Sequence, residues 1–394
     1  MTVGTDGARA EQRTPEVVRE RRTHALACLP GDGIGGEVTA EARRVLEVAG
    51  ARYGFSLDWL DLPFGAAHYR ACGEIFPEAA LRELKSCRAL LLGAIGDPSV
   101  PPGILERGIL LRLRCDFDMY VNLRPARSYP RVPLPVALEK GKGLDALVVR
   151  ENTEDFYVGV GGRLRDGALA LDTLLERGTY TLRGSGSWAL TPPGAGAVQL
   201  GVATEGGVRR VTAFACEAAQ KRGEERVTLV SKANAMPQLY GFWEEMARDE
   251  ARRWNTPLEV VNVDALCYHL VRNPGRYGTL LCPNMFGDIV SDLLAALAGG
   301  LGLAAGANLG RGLGMFEPVH GSAPDIAGRG EANPLAAMLS GGMLLASVGE
   351  EQAAAAVDRA VERYLETASP KELPRELGGE ASTRQVGEAV VAQL

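Results

Sequence analysis

The stretch Asn284-Met-Phe-Gly-Asp-Ile-Val-Ser-Asp292 governs how this chain reads. The apolar run before it, Thr279-Leu-Leu-Cys282, predicts a buried strand, and the Ala/Leu-rich segment Leu293–Ala298 after it predicts a helix. Asp288 and Asp292 then stand four apart on that helix, both carboxylates on one face. Like charges at this spacing destabilise an exposed helix by about 0.2–0.5 kcal/mol. A divalent cation between them reverses the sign, and hard oxygen ligands suit Mg²⁺ or Mn²⁺. The plainer alternative is a solvated helix start, where acidic side chains favour the macrodipole. Spacing alone leaves both open.

Around this stretch, strand patterns alternate with helical ones. Strands are predicted at His24–Leu29, Phe55–Leu60, Ala89–Gly93, Tyr120–Leu123, Ala146–Val149, Val227–Ser231 and Leu258–Val263. Helices are predicted at Glu37–Ala49, Pro77–Cys87, Ile109–Phe117, Val208–Arg222, Tyr240–Arg253 and Ala265–Arg272. The alternation implies an α/β fold. Between about Gly159 and Gly206 the chain is Gly/Thr/Ser-rich, and Arg183–Gly196 reads as a loop or an arm of strands. Gly299–Gly314 is Gly-rich, Phe316–Gly330 reads as a loop, and two Ala-rich helices close the chain.

Composition narrows the function classes. With 394 residues there is room for two or three domains, and 46% hydrophobic residues supply a core. A net charge of −6 and no basic stripe argue against a nucleic-acid partner. No apolar run is long enough to span a membrane. Seven scattered cysteines without a Cys-x-x-Cys pair imply reduced thiols and a cytoplasmic protein. Residues 1–24 read as a disordered extension without a secretory h-region, helical at most near Glu16–Arg22.

Other motifs carry chemistry. Gly31-x-Gly33-x-x-Gly36 matches a dinucleotide-binding fingerprint, with Asp58 or Asp61 spaced to take a ribose hydroxyl, but Pro30 and Asp32 count against close pyrophosphate approach. Arg114, Arg124 and Arg150 are surface ion-pair partners or a clamp for a dicarboxylate. Tyr157 is a packed aromatic or a proton donor. Lys232, at the end of a buried strand, suits general base work.

Taken together, six segments resemble the β-decarboxylating dehydrogenases, the isocitrate/isopropylmalate dehydrogenase family. They are Pro30–Gly35, Tyr120–Pro125, Arg150–Tyr157, Lys232–Asn234, Asn284–Asp292 and Glu317–Gly328, in family order across about residues 25–345. The resemblance implies an isopropylmalate-dehydrogenase-like α/β fold, with two domains around a central cleft and an intersubunit arm. Residues 25–119 with 300–394 would form the large cofactor-binding domain. Residues 120–299 would form the small dimerisation and substrate domain, including the arm 159–206.

It also implies roles. Asp288 and Asp292 would bind Mg²⁺ or Mn²⁺ with Asp264 of the neighbouring subunit. Arg114, Arg124 and Arg150 would hold substrate carboxylates, and Leu110 its variable group. Tyr157 would protonate the enolate, and Lys232, from across a homodimer or tetramer, would take the C2 hydroxyl proton. His320, Gly321, Ser322, Ala323, Pro324, Asp325, Ile326 and Asn333 would grip the adenosine half of NAD. Asp325 would accept from the ribose and repel a 2′-phosphate, and Gly31–Gly35 becomes a turn beside the cofactor.

The substrate implied is a 2-hydroxy di- or tricarboxylate. Gly108 and Leu110 stand where isocitrate enzymes place Ser and Asn, so isocitrate is disfavoured. Cys115–Pro125 and Val263–Cys267 are similar to tartrate/D-malate dehydrogenases, whereas Leu110 and Leu111 match isopropylmalate enzymes. D-malate or tartrate is therefore the first expectation, and 3-isopropylmalate or another 3-substituted malate the alternative. Arg107 either meets an additional anionic group or points to solvent. A non-catalytic regulatory subunit is the rival from another class, and the retained Tyr157, Lys232 and three aspartates disfavour it.

Overall fold

The computed structural model describes residues 22–138 and 143–394. The first elements are β1 (Arg22–Gly31), α1 (Gly35–Tyr53), β2 (Phe55–Asp61), α2 (Ala66–Cys72), α3 (Glu78–Leu84) and β3 (Ala89–Ala94). A helical turn, Glu106–Leu111, runs into α4 (Arg112–Asp116), followed by β4 (Val121–Arg127) and β5 (Asp145–Glu151). Next come β6 (Gly161–Leu164), β7 (Ala168–Arg177), β8 (Tyr180–Ala189), β9 (Gly196–Gln199), α5 (Glu205–Lys221), β10 (Val227–Ser231) and α6 (Phe242–Arg253). The remainder is β11 (Leu258–Asn262), α7 (Val263–Arg272), β12 (Thr279–Cys282), α8 (Asn284–Ala298), β13 (Ala305–Leu309), β14 (Gly314–Pro318), α9 (Leu335–Ser347), α10 (Glu351–Thr367) and α11 (Thr383–Gln393).

Ten strands form one sheet in the order β11-β10-β12-β5-β4-β13-β14-β3-β1-β2. Pairing is parallel towards both ends and antiparallel in the middle, where β13 pairs with β14 and β4, and β4 with β5. Each end of the sheet is covered by helices. At one end α1, α9, α10 and α11 share a core with Leu26, Phe55 and Phe316. The opposite face there holds Leu81, Leu90, Leu92 and Ile109. At the other end α5 to α8 pack on Val148, Leu229 and Leu281, with Trp243 buried among them. Helix α9 is apolar nearly all round because it lies between sheet and helices.

The middle of the sheet is held by polar side chains. Asn308 on β13 is fully buried, accepts from the amides of Asn122 (2.7 Å) and Asn152 (2.9 Å), and donates to the Glu317 carboxylate (2.7 Å). A buried polar set of this kind is stable only while every member keeps its partner.

The structure revises the sequence reading in places. Strand β1 begins at Arg22, so residues 22–24 are ordered strand and not extension. The disorder expected for residues 1–21, and most of the helical tendency near Glu16–Arg22, lie outside the described residues. The Gly-rich segment 299–314 contains β13, and the loop at 316–330 begins as β14. Both were missed because neither has a β-branched residue: β13 is Ala-Gly-Ala-Asn-Leu and β14 is Gly-Met-Phe-Glu-Pro, closed by a proline. Three helices, not two, close the chain: α11 is Val-rich and starts at a Ser382/Gln385 capping box. The Gly/Ser-rich arm is β6 paired with β9, and a hairpin of two ten-residue strands, β7–β8, springs from between them.

Asn308→Ala removes the acceptor of the Asn122 and Asn152 amides and a donor to Glu317, leaving Asn152 with Met119 O and Glu317 with Arg114. It is expected to cost about 2–4 kcal/mol of stability, read as a lowered denaturant midpoint; an unchanged midpoint would show the set to be dispensable.

Candidate active site

Helix α8 starts directly after the buried strand β12 and carries the two aspartates into the cleft. The guanidinium of Arg150, at the end of β5, is 1% exposed and donates through Nη1 to Asp288 Oδ1 (2.6 Å) and through Nε to Asn284 (2.9 Å to O, 3.0 Å to Oδ1). Arg124 on β4 reaches Ser291 Oγ (2.7 Å), Asp288 Oδ1 (3.3 Å) and Asp292 Oδ1 (3.4 Å). Tyr157 donates its hydroxyl to Asp288 Oδ2 (2.7 Å) and lies under the Arg150 guanidinium. The repulsion inferred between the two carboxylates is thus answered by arginines.

Ionisation follows from these contacts. Burial opposes charge on Asp288, but Arg150, Arg124 and the Tyr157 hydroxyl outweigh it and hold its carboxyl below the ordinary value. Asp292 is pushed up, by burial first and by the neighbouring Asp288 charge. Burial, and then the Asp288 carboxylate, raise Tyr157, so its phenol keeps the proton at neutral pH. Burial pushes Arg150 down to about 10, still a cation at neutral pH.

Arg114 on α4 is buried and donates to Glu317 Oε1 (3.1 Å), joining the Asn308 set to the cleft. A small cavity of about 150 Å³ opens here, lined by Leu110, Arg114, Arg124, Ile95 and His320. The sequence pointed to the arginines but not to their holders. Asn122, Ser291 and Glu317 lay inside recognised motifs without a role. Gly287 was also overlooked: a Cβ there would sit 2.5 Å from Arg150 Cγ.

Lys232, closing β10, donates to Asp264 at the start of α7 (2.8 Å), and this hydrogen bond holds the Asp264 carboxyl below its ordinary value. Among the described residues of one chain, no group of three or more His, Cys, Asp or Glu side chains could hold a metal. Asp264 therefore does not join Asp288 and Asp292 within the chain. Arg107 is exposed, and its Nε donates to Gly103 O (2.8 Å).

A second cavity, about 370 Å³, is lined by Ile34, Leu301, His320, Ala323, Ile326 and Asn333 among others. Its loop rests on the Gly31–Gly36 turn. Ile34 N donates to Ser322 O (2.9 Å), and Gly33, at φ +57°, lies where a Cβ would be 1.9 Å from that oxygen. Asp32 is buried and accepts from Ala66 N (2.7 Å) and Gly96 N (2.9 Å). The turn thus braces a loop, and Asp61 is engaged by Arg43. Asp325 is exposed, whereas His320 Nε2 is buried without a partner, a polar atom open to a ligand in this apolar cavity.

Residues 25–390 match the family "Isocitrate/isopropylmalate dehydrogenase". The chain belongs to that family. It is 44% identical over 374 residues to a 3-isopropylmalate dehydrogenase of Mycobacterium tuberculosis, covering 94% of this chain and 99% of that one. With the 3-isopropylmalate dehydrogenase of Thermobifida fusca it shares 41% over 377 residues, 95% and 98% of the two chains. Among solved structures, the isocitrate dehydrogenase of Methylococcus capsulatus superposes with a TM-score of 0.80 at 32% identity, covering 94% of this chain and 99% of that one. A β-decarboxylating dehydrogenase of Thermococcus kodakarensis gives 0.70 at 32%, covering 94% and 96%. As a member of this family the chain is an NAD-dependent decarboxylating dehydrogenase. None of its helices is long and apolar enough to cross a membrane among the described residues.

Gly287→Ala should push Arg150 off Asp288. Activity is expected to fall at least about tenfold, in line with misplaced catalytic geometry, with the circular-dichroism spectrum unchanged. Full activity would show that Arg150 tolerates displacement.

Proposed function

We propose that the chain catalyses NAD-dependent oxidative decarboxylation of 3-isopropylmalate or a closely similar malate with an aliphatic C3 substituent. The observation that carries this reading is the 41–44% identity to 3-isopropylmalate dehydrogenases over nearly the whole chain. It favours an aliphatic substituent over the D-malate or tartrate expected from Cys115–Pro125. Leu110 and Ile95 beside Arg114 and Arg124 give such a substituent an apolar wall. Arg107, bonded to its own loop, adds nothing against it.

The donors present fit the two expected groups. Asp288 and Asp292 offer carboxylate oxygens from one helix face, and Asp264, 68% exposed at its side chain, is free to serve a partner copy. The 370 Å³ cavity suits an adenosine, and the exposed Asp325, next in sequence to the cavity-lining Ile326, is the proposed acceptor for ribose hydroxyls. When bound, NAD would supply the hydride acceptor for C2, and Mg²⁺ or Mn²⁺ held by Asp288 and Asp292 would supply Lewis-acid polarisation of the substrate oxygen.

This chain's own residues do the rest. Arg114, Arg124 and Arg150 are fixed by Glu317, Ser291 and Asp288, so they present preformed forks to the substrate carboxylates. Their charge also favours the ionised substrate in an otherwise acidic protein. Lys232 of a partner copy, as the neutral amine, takes the C2 hydroxyl proton, and the Asp264 carboxylate accepts a hydrogen bond from the ammonium that results. Loss of CO₂ leaves an electron pair at C3, and the protonated Tyr157 delivers a proton to it. In this reading the active unit is a homodimer with shared sites.

A substrate panel at saturating NAD and Mn²⁺ tests the reading. 3-Isopropylmalate should give the highest kcat/KM, above D-malate, tartrate and isocitrate; a better D-malate or tartrate rate would overturn it. Leu110→Ser should lower kcat/KM for 3-isopropylmalate about 10–200-fold and leave D-malate nearly unaffected.

A further inference from the structure

The 370 Å³ cavity has a carboxylate at its edge that no motif announces. Glu376 belongs to a short turn, Arg375–Leu377, between α10 and α11, far in sequence from the loop that forms the cavity. Its Oε1 accepts from Gly302 N (3.0 Å), and its Oε2 accepts from Asn333 Nδ2 (3.0 Å). Both donors line the same cavity. Asn333 is buried, and its Oδ1 accepts from Leu335 N (3.1 Å) at the start of α9. The Asn333 side chain is therefore held by the protein at both its amide nitrogen and its oxygen, which fixes the residue where it lines the cavity.

The surroundings are shaped to this carboxylate. A Cβ at Gly302 would lie 1.9 Å from Glu376 Oε2 and 2.5 Å from Asn333 Nδ2, and a Cβ at Gly300 would lie 2.5 Å from Glu376 Oε1. Arg375, the neighbouring residue, pairs with Glu331 (3.3 Å) across the same cavity rim. The turn thus ties three separate parts of the chain: the end of α8, the approach to α9 and the C-terminal region.

We propose that Glu376 is a positioning residue for the cofactor: it holds the Gly302 backbone and the Asn333 amide in the geometry that receives the adenosine half of NAD. This rests on the NAD site proposed above. Glu376 does not touch the reacting atoms. Its effect falls on cofactor affinity and not on the chemical step. Because it is a double acceptor facing two donors, its action depends on hydrogen-bond polarity as well as on shape.

A polarity-swap experiment on the full-length protein tests this. In Glu376→Gln one acceptor oxygen remains for Gly302, but an NH₂ now faces the NH₂ of Asn333. Adding Asn333→Asp restores a donor–acceptor pair with its direction reversed. ADP-ribose is titrated by calorimetry, alongside steady-state kinetics and thermal melting. Glu376→Gln is expected to weaken ADP-ribose binding and raise KM for NAD about threefold to tenfold, the scale of one net hydrogen bond. kcat, and KM for the hydroxy acid, should hold within about twofold. The double variant should recover most of the lost affinity, whereas Asn333→Asp alone, setting two carboxylates together, should bind ADP-ribose worst. Wild-type affinity in Glu376→Gln overturns the proposal. So does an equal loss in kcat and both KM values, or a double variant no better than the worse single one. If the wild-type protein fails to bind ADP-ribose, the NAD site itself is wrong, an outcome separate from the others.

Discussion

A buried guanidinium is stable only with its donors engaged, and Arg150 is the deepest charge in this cleft. Its partners fix much of the site. Asp288 must lie at the N-terminal part of α8 to meet it, Asn284 must open that helix, and Gly287 must lack a side chain. Arg124 and Tyr157 converge on the same aspartate from another strand and another loop. An Asp288 carboxylate shared in this way is already oriented, and its negative charge is already balanced. Ordering the site on substrate arrival therefore costs little side-chain entropy.

The second constraint is the polar middle of the sheet. β4 and β13 join the two ends through only three paired positions, Leu123 with Ala307, Asn122 with Asn308 and Val121 with Leu309. Apolar packing there would serve stability equally well. The buried amides instead connect the ladder to Glu317 and so to Arg114, which puts a cleft arginine and the two ends of the sheet in one hydrogen-bonded set. Truncating one member exposes the others to the full cost of desolvation.

Much of this was legible in the sequence because the motif residues lie next to element ends. Asp288, Asp292, Arg124, Arg150 and Tyr157 were all legible there, and the structure links them in one chain of contacts: Arg150, Arg124 and Tyr157 meet Asp288, and Arg124 also reaches Asp292. The fold class followed from the strand–helix alternation. What stayed hidden was of two kinds. β13 is Gly/Ala-rich and β14 is a short segment closed by proline, so neither carries a β-branched signal, and their strand character comes from neighbours on both sides. Glu376 and the Asn308 set act through contacts tens to hundreds of residues apart, which no local pattern encodes. The substrate preference reads towards D-malate or tartrate from two short segments, Cys115–Pro125 and Val263–Cys267, whereas similarity over the whole chain weighs towards isopropylmalate.

The β7–β8 hairpin hangs from a closed neck, since β6 and β9 pair with each other before and after it. The chain ends that would be joined by its removal are already side by side, and lengthening it adds only a slowly growing loop entropy. At its far end Arg177 still reaches Thr153 O (3.4 Å), three residues from Arg150, and Gly178 lies against Asp118. The tip contacts nevertheless set its length: each residue added to both strands would carry the tip about 3.3 Å further out and take Arg177 off Thr153.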